Sequence, residues 1–165
     1  MREILFRGKR KFPRWQFDNI WVDGYLLRYE DGDCDICSPS GPDELYKYSV
    51  HPSTVGEFTG LTDKNGVKIF EGDIIRYNTS DDFDCHSVVK LGEYEQDGSG
   101  GEYAPRRCIG WYAEVDNFTC PDWAEDDPSY FSGYLKQQNL LEVSAQCEVI
   151  GNIHDQPELI SEGEA

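Results

Sequence analysis

Residues 58–77, FTGLTDKNGVKIFEGDIIRY, constrain the fold more tightly than any other stretch of the chain. Short apolar runs are interrupted first by Asp63-Lys64-Asn65-Gly66 and then by Glu71-Gly72-Asp73, before Ile-Ile-Arg-Tyr. Glycine permits the positive φ of a tight turn, and an Asp or Asn side chain accepts backbone donors across it. The stretch therefore predicts strands joined by corners. The same punctuation runs through the whole chain. With Gly 16 and Pro 8 among 165 residues no long helical pattern survives, and the aromatic fraction of 13% favours short strands.

Residues 2–7, REILFR, and 19–29, NIWVDGYLLRY, read as strands, with Asp23-Gly24 as a turn signal inside the second. The segment 30–44, EDGDCDICSPSGPDE, is acidic and poor in large apolar groups and reads as a surface loop. LYKYSV resumes the strand pattern, and His51–Thr54 is a connection. Beyond Val55, GEFTGL, KIFEGDIIRYN, SVVKLGEY, RCIGWYAEV and QCEVIGNI give five strands, about the number a small barrel needs. Residues 132–143 predict a short helix, because Leu135, Leu140 and Leu141 do not fit strict alternation. The expected organisation is an N-terminal β-rich extension over residues 1–50 and a barrel-forming part over 51–165 that carries an acidic and aromatic insertion around 116–130.

The net charge of −17, from 32 acidic and 15 basic residues, repels phosphate backbones and anionic lipids, which argues against direct nucleic-acid binding. Arg2, Arg7, Lys9, Arg10, Lys11 and Arg14 nevertheless crowd the first fourteen residues, interleaved with Phe6 and Phe12. A basic, aromatic arm beside an acidic body predicts contact between the two, within one chain or in a homo-oligomer. No apolar run approaches a membrane span, and no signal-peptide core precedes the first strand, so a cytoplasmic protein with six reduced cysteines is expected.

Several clusters invite chemistry. Cys34 and Cys37 have the spacing of half a zinc site, but no second C-x-x-C completes it. Asp81, Asp82, Asp84 and His86 form one carboxylate-rich set, and Asp122, Glu125, Asp126 and Asp127 another; either would serve a divalent cation only if the fold made its members converge. Glu71 and Asp73 would share a face on a straight strand and act as an acid/base pair, whereas the glycine between them favours a turn. His51, His86 and His154 accompany no nucleophile motif. No residue is assigned a catalytic role and no cofactor is expected. Trp111, Trp123, Tyr130, Phe131 and Tyr134 are the candidate binding residues, since rings exposed between barrel loops grip peptides or bases.

Three blocks, MREILFRG, TVGEFTGLTDKNGVKIFEGDIIRY and EVIGNIHDQPELI, resemble in order and spacing the signature blocks of the YopX family, small proteins of phages and prophages. The resemblance spans nearly the whole chain. It implies a mainly β fold with an SH3-like barrel or roll and an N-terminal β-rich extension, and it implies no particular activity. The segments 30–44 and 116–130 depart from the shorter members. The resulting expectation is a non-enzymatic module that binds a host or phage protein and self-associates. Two other readings are an acidic DNA mimic that inhibits a nucleic-acid-binding host protein, and a metal-dependent hydrolase built on the carboxylate clusters.

Overall fold

The structure is a computed structural model that describes residues 3–13, 20–39, 45–79, 83–96, 104–119 and 136–161. The chain forms two compact units, Met1–Gly60 and Leu61–Ala165. Strands dominate both, and no described helix is long and apolar enough to cross a membrane.

In the first unit β1 (Phe6–Lys9), β2 (Trp21–Arg28), β3 (Cys34–Pro39), β4 (Leu45–Val50) and the start of β5 (Gly56–Thr62) lie antiparallel in the order β4-β3-β2-β1-β5. The small core is Cys34, Ile36 and Val50, all fully buried, with Phe6, Val22, Leu26 and Val55 packed against it. Two sequence expectations are corrected here. The segment 30–44 is not all surface loop, because β3 runs through it. Cys34 and Ile36 alternate inward while Asp35 stays partly exposed, a strand pattern masked by acidic composition. Asp23-Gly24 makes no turn either. Gly24 sits within β2 opposite Phe6, and a Cβ there would lie 2.3 Å from the Cys37 carbonyl oxygen. Glycine is needed for close backbone approach.

The second unit contains β6 (Lys68–Phe70), β7 (Asp73–Asn78), β8 (Asp84–Gln96), β9 (Arg106–Thr119), β10 (Gln137–Asn139), α1 (Leu140–Ser144), β11 (Glu148–Asn152) and α2 (Glu158–Ser161). Its antiparallel sheet has the order β10-β9-β8-β7-β11 and remains open, so the described strands do not close a barrel. The core joins Ile69, Ile75, Tyr77, Phe83, Cys85, Val89, Ala113 and Val115 to Leu140 and Val143 of α1 and to Cys147. The helix expected in 132–143 is thus present at its C-terminal end. Asn139 caps it by accepting the Leu141 N–H at 2.9 Å.

The corners in residues 58–77 are built as the sequence predicts. Asp63 accepts the N–H groups of Asn65 and Val67 on Oδ1 at 2.8 and 2.9 Å, and that of Val149 at the edge of β11 on Oδ2 at 3.0 Å. Burial pushes this carboxyl up, but the three donors outweigh it and hold Asp63 below its usual range. Gly66 takes φ 81° and Gly72 takes φ 80°. Gly72 donates to Val89 O at 2.9 Å and accepts from Ile153 N–H at 3.0 Å, so its corner is tied to β8 and to the chain beyond β11. Asp73, fully buried, accepts the Phe70 N–H at 2.8 Å.

Candidate functional site

The register between β7 and β11 ends at Arg76↔Glu148, while β7 continues through Tyr77 and Asn78. Here β11 gives way to the turn that follows α1, so a hollow opens beside the last residues of β7. It has a volume of about 350 Å³ and is lined by Lys64, Arg76, Tyr77, Asn78, Gln146 and Glu148. A second hollow of about 300 Å³ shares Tyr77, Asn78 and Gln146 and adds Thr79, Gln138, Glu142 and Val143. Together they form one groove with a polar lining, floored by the buried Tyr77 and Val143.

The local sequence explains each wall. QQN in β10 supplies three amides with separate duties. Gln137 accepts the Glu95 N–H and donates to Glu114, Asn139 caps α1, and Gln138 faces the groove. Five residues of α1 bring Glu142 to the rim and end the helix at the turn bearing Gln146. At the other end Lys64 pairs with Glu148 at 2.9 Å, and Arg76 grips Asp84 through Nε and Nη2, with contacts of 2.6 to 3.1 Å. The Arg76 guanidinium hydrogen-bonded to Asp84 holds that carboxyl below its ordinary range. Both cations are half exposed. Exposed amides at Asn78 and Gln146 lie between the charged ends.

Those candidates read from sequence that fall among the described residues do not line this groove. Trp111 lies on β9 opposite Leu91, half-buried against the core rather than displayed as a ring platform. Trp123, Tyr130, Phe131 and Tyr134 lie outside the described residues, as do Asp81, Asp82, Asp122, Glu125, Asp126 and Asp127. Asp84 is engaged with Arg76, and His86 Nδ1 lies 3.0 Å from the Leu159 carbonyl oxygen. Glu71 is exposed while Asp73 is buried, so they share no surface. Cys34 and Cys37 sit three apart on β3 and point to opposite faces of the sheet; Cys34 is buried against the small core. None of the five described cysteines is in a disulfide, and burial pushes the Cys147 thiol up to about 11, the condition of an inert packing residue. Among the described residues no three His, Cys, Asp or Glu side chains gather in a way that could hold a metal.

Cations of the N-terminal arm are used within the first unit. Arg7 lies 4.8 Å from the Trp21 ring centroid, Arg10 4.8 Å from that of Tyr48, and Lys11 pairs with Asp33 at 2.8 Å. In the second unit Lys90 pairs with Glu114, and Arg107 with Glu93. Burial pushes Glu114 up, but Lys90 and Gln137 outweigh it and hold that carboxyl below its ordinary range. Sequence reasoning missed Asn78, Thr79, Gln138, Glu142 and Gln146. They come from β7, β10 and α1 and from the chain just past β7 and α1, and no spacing in the sequence announces their convergence.

No curated protein matches this sequence. The family model described as YopX protein matches residues 6–161, nearly the whole chain and through both units. The chain belongs to the YopX family.

Proposed function

We propose that this is a non-enzymatic binding protein that engages a basic protein partner through its second unit. The observation that supports it is the uneven charge. Residues 1–60 hold eight Lys and Arg against ten Asp and Glu, net −2, whereas residues 61–165 hold seven against twenty-two, net −15. Among the described residues Glu71, Glu93, Glu95, Glu142, Asp155 and Glu158 are exposed, so these six carboxylates face solvent. Such a field steers cationic surfaces toward the molecule and turns phosphate backbones away. Family membership favours a phage-type protein. The partner is then a host or phage protein met in the host cytoplasm, and a second copy of this chain is a further partner through the basic arm. On the same reading the open sheet of the second unit is a variant of an SH3-like roll.

The test is capture from host lysate on the immobilised full chain, with elution by rising salt. Proteins with a basic binding surface should be retained at low ionic strength and released as screening shortens the Debye length to about 3–5 Å. Retention of no such protein, or retention indifferent to salt, would sink the proposal. The charge surplus equally favours the DNA-mimic reading. It predicts that duplex DNA displaces the captured protein, and a lack of displacement excludes it.

A further inference from the structure

We infer that the groove beside the end of β7 grips the backbone of an extended, basic peptide segment of the partner. This rests on the proposed engagement of a basic protein and gives it a location. An amide side chain carries one carbonyl acceptor and an NH₂ donor, the same pair a peptide unit presents, so amides spaced along a groove read a main chain without demanding one sequence. Asn78 and Gln146, both exposed, supply two such groups where two adjoining hollows of about 350 and 300 Å³ meet. Thr79 adds a hydroxyl, although its oxygen already accepts the Phe83 N–H at 3.2 Å.

The charges at the ends set the sign of the segment. Glu142 stands at one end and Glu148 at the other, with Asp84 behind Arg76. Lys64 and Arg76 are already matched to Glu148 and Asp84, and Glu142, whose Oε2 accepts the Gln96 side-chain amide at 3.0 Å, adds its charge to a unit of net −15. An anionic ligand would approach beside those carboxylates and against the field of the whole unit. A lysine- or arginine-bearing segment meets a favourable field and can pair with Glu142 at the rim. Tyr77 is 3% exposed, so the floor offers no ring for stacking a sugar or a base. The lining therefore fits a peptide better than either.

The test is fluorescence anisotropy on the full chain with a labelled peptide of alternating lysine and alanine. Its analogue N-methylated at the alanine amides, and a glutamate–alanine peptide, serve as controls. Binding of the lysine peptide should weaken about tenfold in the double variant Asn78→Ala, Gln146→Ala, as expected for two lost hydrogen bonds. N-methylation should weaken binding by a similar factor in the wild type and little further in the variant. The glutamate peptide should not bind. Both substituted side chains are exposed, so an unchanged melting temperature separates loss of binding from loss of fold. If the lysine peptide binds but neither the variant nor N-methylation matters, the groove assignment is wrong while binding through the acidic surface stands. If it does not bind even at low salt, both fall.

Discussion

The two units solve folding with unequal means. Among the described residues the first unit gathers Cys34, Ile36 and Val50 in one fully buried cluster, buries Leu5 and Phe58 besides, and adds ring contacts in which Arg7 lies over Trp21 and Arg10 over Tyr48. The second joins strands, a helix and the Asp63 corner around eleven buried residues. It also carries almost all of the net charge. Self-repulsion of like charges destabilises a compact state, so a strongly acidic surface needs a substantial core beneath it. The larger core and the larger charge belong together: the well-packed unit is the one able to present a solvent-facing acidic surface.

The strongest way to break this comparison is to hollow the larger core. Ile75→Ala removes a fully buried side chain and should cost about 2–5 kcal/mol in urea unfolding. A loss under ~1 kcal/mol would mean that the second unit is not held by that cluster. Asp63→Asn comes next, at about 1.5–3 kcal/mol, because the neutral amide cannot accept from all three N–H groups that the carboxylate holds. In the first unit Gly24→Ala drives a Cβ against the Cys37 carbonyl and should cost about 1–3 kcal/mol. Hydrogen exchange should show the loss in the amides of β2 and β3, with β7 and β8 unchanged. Lys64→Ala should change stability least, by about 0–1 kcal/mol, since its ion pair with Glu148 is nearly half exposed on both sides.

Acid sharpens the Asp63 prediction. Its carboxyl is held below the unfolded value of about 3.9, so its contribution is fully present above that pH and is lost as pH falls through the lower folded value. The gap in urea midpoint between wild type and Asp63→Asn should stay constant from neutral pH to about 5 and close below about 4. Most general charge repulsion is common to both proteins and largely cancels in the difference. A gap that widens on acidification would contradict the hydrogen-bonding role.

Much of the second unit was legible because its turns are local. Asp63, Gly66 and Gly72 announce corners through chemistry that acts within a few residues, and the helix at Leu140 broke the alternation around it. Misreadings arose where a distant contact decided the structure. Asp23-Gly24 has the composition of a turn, yet the Cys37 carbonyl pressing on Gly24 is what requires the glycine. β3 was hidden because its inward positions, Cys34 and Ile36, are modest in size and its surroundings acidic. Whether the sheet closes was not legible for the same reason, since closure depends on edges that turn chemistry does not report, and the described strands leave the sheet open. The groove was illegible for a further reason: Asn78 and Gln146 are ordinary surface amides until the end of β11 leaves room between them.

Carboxylate footprinting of the full chain with and without the captured partner tests the central claim most directly. Carbodiimide labelling should be suppressed at Glu142, Glu148 and neighbouring acids of residues 61–165, while Asp23, Asp35 and Glu57 label as before. Protection confined to residues 1–60, with the second unit fully labelled, would contradict it.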